Sequence, residues 1–270
     1  MTIDIPGGPL ATLQAQPTGD PIATVVLVPG FTGSKEDFRL VLAPLAAAGF
    51  RAVAYDQRGQ FESPGPDDPA AFSVEALAAD LLSLVEALDD GPVHVVGHSF
   101  GGLVSRAAAL RQPAALRSLT LLASGPAGLR GPRTAVLEHL RPLLLSGGLP
   151  AIADVLDAVA AADPRRQFEP AEQRAFLRRR FLACSPTGLL AMADALMDEP
   201  DRVDGLRETR VPVLVTYGAA DDAWHPDAQA AMADRLAAAV AVIPDAVHAP
   251  AAENPAALVG VLTDFFASLG

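Results

Sequence analysis

Apolar residues in this chain follow two alternating rhythms. Short, nearly continuous apolar runs at 22–28, 50–55, 93–98, 116–123, 211–218 and 240–243 end in glycine, proline or polar turns, the pattern of strands buried on both faces of a parallel sheet. Between most of them, apolar positions recur at helical spacing, over 38–48, 73–88, 100–110 and 228–238, and again over 255–269 after the last run. These segments predict amphipathic helices. Ser73 stands where an N-cap is needed, with Glu75 in the first turn. Strand and helix in uninterrupted alternation predict an α/β fold, a doubly wound, mostly parallel sheet with right-handed crossovers and helices on both faces. A short alternating piece at 10–16 reads as an edge strand or hairpin leading into that sheet.

The rhythm changes from Gly125 to about Arg210. Helix-like segments follow one another at 133–145, 151–161, 169–183 and 186–197, with a short turn near Asp201 and no convincing strand. The chain therefore divides into a core domain, 1–125 and 211–270, and a helical cap inserted at 126–210. An insert at a strand's C-terminus lies over the carboxyl edge of the sheet, where open α/β sheets bind ligands. Arg178, Arg179 and Arg180 read as a solvated helix face. The run Leu143–Leu145 and Met192, Leu196 and Met197 either line a pocket or pack the cap, and spacing does not separate the two.

At 270 residues the chain is long enough for one large domain with an insertion. A net charge of -12 argues against nucleic acid or an anionic membrane surface as partner. One cysteine, Cys184, excludes an internal disulfide and suits a reducing compartment. The N-terminus shows neither the basic start nor the apolar run of a secretory signal, so a cytoplasmic protein is expected. Arg, Asp or Pro interrupts the Ala-rich runs, and no membrane span is expected.

The chemistry centres on one serine. Gly97-His98-Ser99-Phe100-Gly101 follows an apolar strand and opens a helix, the context a Gly-x-Ser-x-Gly elbow requires. Small residues two before and two after the serine let strand and helix approach while the serine takes a strained conformation. The Phe100 N–H then lies at a helix N-terminus, aimed where a tetrahedral oxyanion would form. Gly30-Phe31-Thr32-Gly33-Ser34 leaves another strand, and the Phe31 N–H is the natural second donor; no Gly-Lys-Ser/Thr follows to make the loop a phosphate cradle. Residues 56–63 form a polar loop, read as an Asp–Arg pair that braces the site. Asp221 follows the strand ending at Gly218, and His248 follows the last strand. His94, His139 and His225 have no second ligand at metal spacing, and His98 reads as support for the elbow. Neither metal nor cofactor is expected.

Ser99, Asp221 and His248 thus stand after three different strands, in the chain order of the α/β-hydrolase superfamily. The chain resembles a capped member of that superfamily over nearly its whole length. Residues 29–34 resemble the His-Gly-x oxyanion loop, 56–63 the Asp-x-Arg-Gly-x-Gly-x-Ser segment, 217–221 the acid loop and 243–255 the histidine loop. Two positions depart from the pattern: Pro29 replaces the usual histidine, and Phe61 replaces a glycine, suggesting a locally different loop. The resemblance implies Ser99 as nucleophile, His248 as general base and Asp221 rather than Asp222 as its orienting acid, with Phe31 and Phe100 supplying oxyanion amides. A serine nucleophile disfavours haloalkane dehalogenase and epoxide hydrolase chemistry, which uses aspartate there. The expected partner is a small-molecule ester or thioester with an apolar portion, bound where Phe31, Phe61 and Phe100 converge on the pocket mouth. An acyltransferase or carbon–carbon bond hydrolase would use the same residues, and a weakly catalytic receptor would keep the same fold.

Overall fold

The computed structural model describes residues 1–162 and 170–270. The strands are β1 (Thr2–Ile5), β2 (Gly8–Ala15), β3 (Thr24–Val28), β4 (Arg51–Tyr55), β5 (Val93–His98), β6 (Leu116–Leu122), β7 (Val213–Gly218) and β8 (Ala239–Ile243). They form one eight-stranded sheet in the order β1-β2-β4-β3-β5-β6-β7-β8. The β1–β2 hairpin enters antiparallel, with β2 antiparallel to β4; every later pairing is parallel. All five residues of β3 are buried, as expected for a strand covered on both faces.

The helices are α1 (Arg39–Ala47), α2 (Val74–Leu88), α3 (Phe100–Arg111), α4 (Pro132–Ala162), α5 (Ala171–Leu182), α6 (Pro186–Asp198), α7 (Val203–Glu208), α8 (Pro226–Leu236), α9 (Pro250–Glu253) and α10 (Pro255–Ala267). Period-2 alternation sends Val25 and Leu27 to one face of the sheet, where Leu45 of α1 and Leu258, Leu262 and Phe266 of α10 cover them. Val26 and Val28 face the other side, against Leu81 of α2, Leu103 of α3 and Met232 of α8. The Ser73 hydroxyl accepts from the Ala76 N–H at 3.2 Å and caps α2 as expected.

The insertion between β6 and β7 holds α4 to α7. The two helices expected at 133–145 and 151–161 are the two halves of α4, which meet at a kink where the backbone leaves the helical region at Gly148 (φ 66°, ψ -168°), two residues before the helix-breaking Pro150. Leu144, Leu149, Ile152, Phe181 and Leu189 build a small separate core between α4, α5 and α6. Glu169, the expected start of α5, lies outside the described residues. The turn expected near Asp201 is the helix α7, and its Val203 and Leu206 belong to the main core beside α3 and α8. The part of the insert that overhangs the sheet therefore ends before α7. The stretch Arg133–Ala162, with a mean hydropathy of 1.6 in its most apolar window, is long and apolar enough by length and composition to cross a membrane. Its charged residues lie toward its ends, none occurring from Pro142 to Ala153, and the kink at Gly148 divides it into two shorter helical halves.

Candidate active site

The elbow forms because two glycines allow backbone to touch backbone. A side chain at Gly97 would put its Cβ 2.5 Å from the Gly101 carbonyl oxygen, and one at Gly101 would lie 2.4 Å from that of Val28. Only a bare Cα fits at either place. Ser99 itself carries φ 54° and ψ -120°, a strain that the surrounding sheet must hold. Its N–H donates to the Leu122 carbonyl at 2.9 Å, and its carbonyl accepts from the Gly102 N–H at 2.9 Å.

His248 bridges the other two sequence-predicted groups. Its Nε2 lies 3.0 Å from Ser99 Oγ, and its Nδ1 lies 3.0 Å from Asp221 Oδ1. Asp221 Oδ1 also accepts from the Ala223 N–H at 2.9 Å, and its Oδ2 accepts from the Gln229 amide at 2.9 Å. Burial of Asp221 works against its charge, but the hydrogen bond and charge of His248, with the Ala223 and Gln229 donors, hold the carboxyl below its ordinary pKa. Asp222 faces outward and pairs with Arg133 at the surface. Extended neighbours point apart, and only Asp221 reaches the imidazole. His98 lies behind the site, Nε2 at 2.6 Å from the His248 carbonyl oxygen. Burial, then the charge of His248, lower its pKa to about 4. At neutral pH it is uncharged, and because a carbonyl only accepts, its proton sits on Nε2.

The loop after β3 lies against the elbow: a Cβ on Gly30 would be 3.1 Å from that of Ser99. Among the described residues neither the Phe31 nor the Phe100 N–H donates to a backbone or side-chain acceptor. The loop is braced from residues 56–63, though not by the Asp–Arg pair expected there. Asp56 takes the Lys35 N–H at 2.7 Å and the Lys35 ammonium at 2.9 Å, while Arg58 Nε donates to Asp80 at 2.8 Å. Burial opposes the charge on Lys35, but hydrogen bonds to Glu62, Asp56 and Glu36 outweigh it and raise its pKa. The Gln57 and Gln60 amides donate to the carbonyls of Pro29 and Gly30, each at 2.9 Å. Phe61 adopts φ 38°, the left-handed backbone that glycine favours. Its ring packs edge-on to Phe176 at 5.8 Å.

A cavity of about 690 Å³ opens over Ser99 and His248, lined by Phe31, Leu137, Leu140, Phe181, Leu189 and Trp224 among others. Of the three phenylalanines expected at its mouth, Phe31 alone lines it. Phe100 is fully buried in the core, because the first side chain of α3 turns under the sheet while its amide stays at the helix end. Arg180 also departs from expectation. It points into the cavity rather than into solvent and pairs with Asp37, its Nη1 also donating to Ser34 Oγ at 3.3 Å. Arg179 is exposed, and Arg178, partly exposed, pairs with Asp154 and Asp157 within the cap.

Two buried polar residues escaped the sequence reading. Gln229 holds Asp221, and Arg106 of α3 donates to the Gly125 and Pro126 carbonyls where the cap begins and to Pro200 and Glu199 where it ends. Both carried a signal: Gln229 shares a helical stripe with Met232, Ala233 and Leu236, and Arg106 shares one with Leu103 and Leu110. A polar residue on an apolar stripe needs a buried partner.

A serine, histidine and aspartate linked by hydrogen bonds at the carboxyl edge of a doubly wound sheet, under a helical cap, define a hydrolase of the α/β class. The model of the alpha/beta hydrolase family matches residues 25–261, and the chain belongs to that family. It is similar to the putative carbamate hydrolase RutD of Pantoea ananatis, 35% identical over 222 residues that span 79% of this chain and 76% of the relative. Among solved structures it resembles a thermophilic esterase from Thermogutta terrifontis, with a TM-score of 0.81 and 26% identity over 100% of this chain and 98% of that one. An enol-lactonase from Burkholderia xenovorans shares the fold, with a TM-score of 0.82 and 23% identity over 99% and 100% of the two chains.

Proposed function

We propose that this protein is a serine hydrolase that cleaves carboxylic esters or thioesters with an apolar acyl or alcohol portion. The observation that carries the reading is the bridge made by His248, within hydrogen-bond reach of Ser99 Oγ on one side and Asp221 on the other. In this reading His248 Nε2 takes the Ser99 proton as Oγ attacks the carbonyl carbon, and Asp221 stabilises the imidazolium that results. The N–H groups of Phe31 and Phe100 receive the oxyanion. Collapse of the tetrahedral adduct expels the alcohol or thiol, which takes the proton from His248. Water, deprotonated by the same histidine, then releases the acid from the acyl-Ser99 ester. The apolar cavity wall supports the choice of substrate class.

The test is labelling with a fluorophosphonate followed by peptide mapping, together with turnover of p-nitrophenyl esters. Label on Ser99 and loss of about a thousandfold or more in kcat/KM for Ser99→Ala are expected. Label on Ser34 or Ser124, or Ser99→Ala within about tenfold of the parent, sinks the reading. The relative named as a putative carbamate hydrolase favours a second electrophile for the same machinery. An ester and a carbamate of one alcohol, compared side by side, separate the two.

A further inference from the structure

We infer that Gln60 is a positioning residue for the oxyanion hole, acting through the Gly30–Phe31 peptide; this rests on the serine-hydrolase reading. In a trans peptide the carbonyl of one residue and the N–H of the next point to opposite sides of one rigid plane. Whatever fixes the Gly30 carbonyl therefore fixes where the Phe31 N–H points. That carbonyl accepts from the Gln60 amide at 2.9 Å and from the Gly33 N–H at 3.0 Å.

Gln60 suits this task better than its neighbour Gln57. It is 1% exposed, and its far end is also held: Oε1 accepts from the Gln57 N–H at 3.2 Å. Both ends of the amide are engaged, so it has one orientation. Gln57 grips the preceding carbonyl, that of Pro29, and leaves its own Oε1 without a partner among the described residues. A donor on the Gly30 oxygen also polarises the peptide, which makes the Phe31 N–H a stronger donor toward negative charge. The bond sits on the face of the peptide away from the substrate, so Gln60 affects the oxyanion without touching it. Gly33 shares the load, and removing Gln60 should cost less than the hundredfold or more typical of deleting an oxyanion donor itself.

The experiment compares the parent protein with Gln60→Met, which keeps length and burial but loses the donor. Kinetics on p-nitrophenyl butyrate are set beside inhibition by a trifluoromethyl ketone, which forms an oxyanion adduct with the serine, and by the matching methyl ketone, which is read as a ground-state ligand. We expect kcat to fall about tenfold with KM within about twofold. Trifluoromethyl ketone affinity should fall by a similar factor while methyl ketone affinity holds. Equal loss of both ketones, or unchanged kcat, overturns the proposal. Should Gln60→Met fail to fold, Gln60→Glu serves: its carboxylate repels the Gly30 oxygen and its neutral form donates, so its activity relative to the parent must rise as pH falls. A pH-independent ratio sinks the idea. A parent protein that turns over no ester and takes no label on Ser99 instead sinks the underlying reading.

Discussion

Arg106 and Glu199 form an ion pair in the protein interior, Nη2 to Oε1 at 3.2 Å, with the two side chains 0% and 4% exposed. Arg106 belongs to the helix that Ser99 opens, and Glu199 stands where the cap returns to the core. The same guanidinium holds carbonyls at the outgoing end of the cap, and the Gly128 N–H donates to the Glu199 carbonyl at 2.7 Å. Both ends of the insert are thus tied to the elbow helix by one residue.

Arg106→Leu should therefore destabilise the whole fold. Removing Arg106 leaves Glu199 with the partly exposed Arg202, 3.2 Å away, as its remaining partner and strands the Gly125, Pro126 and Pro200 carbonyls, so the cost should be about 3 kcal/mol, the lower end of that for breaking a buried pair. At roughly 2–4 °C per kcal/mol for a chain of this size, the melting temperature should fall by about 6–12 °C. The double change Arg106→Leu, Glu199→Leu should recover part of the loss, since the buried carboxylate goes with its partner and Arg202 keeps Glu75. Thermal unfolding of the single and double variants checks this; a single variant that melts with the parent would remove the pair from the account of stability.

Asp221→Asn should lower kcat/KM by about a thousandfold or more, because the amide replaces the one group that both orients His248 and stabilises its charge. Asp222→Asn should stay within about threefold, since Asp222 pairs at the surface with Arg133. Steady-state kinetics of both variants decide it, and the reverse ranking would reassign the acid.

The strands, the elbow, Asp221 and His248 were legible because each announces itself locally, by an apolar run, a glycine spacing or a place after a strand. The contacts that set the site's precision were not. Arg106 meets Glu199 across 93 residues, and Arg180 meets Asp37 across 143; neither spacing repeats, so no period reveals it. Arg180 looked like its solvated neighbours because the run Arg178–Arg180 gives no hint of which guanidinium turns inward. Phe100 misled for a different reason. Its amide and its ring serve different surroundings, and proximity to Ser99 in sequence applies only to the amide.

Stability should rise with pH between about 4 and 6.5 in a way that involves His94. This residue is 1% exposed, stacks on Phe266 at 4.1 Å and bonds Ser118 at 2.7 Å. Burial, then the nearby Arg117, lower its pKa from the ordinary 6.5 to about 4. A folded pKa below the unfolded one means the unfolded chain binds the extra proton, so unfolding gains as pH drops through that window. The expected difference is roughly 3 kcal/mol between the two limits. Urea unfolding from pH 4 to 7 should show a shallower slope for His94→Gln than for the parent, and identical slopes would count against the assignment.

The cavity should set the acyl length. Each methylene moved from water onto its wall is worth up to about 0.8 kcal/mol of transition-state binding, so kcat/KM for p-nitrophenyl esters should climb with chain length until the space is full and then fall. Leu140 lines the cavity from α4, one turn before Leu144 of the cap's own core. Leu140→Trp should fill the far end and move the maximum to shorter chains, leaving the acetyl ester within about twofold, because a short acyl group needs only the elbow end. Arg180 should not convert the preference to acids, since Asp37 already neutralises it. A hemisuccinate ester should therefore turn over more slowly than the butyrate. A chain-length profile that is flat in the parent, or a maximum that Leu140→Trp leaves in place, would show that substrate does not extend under the cap.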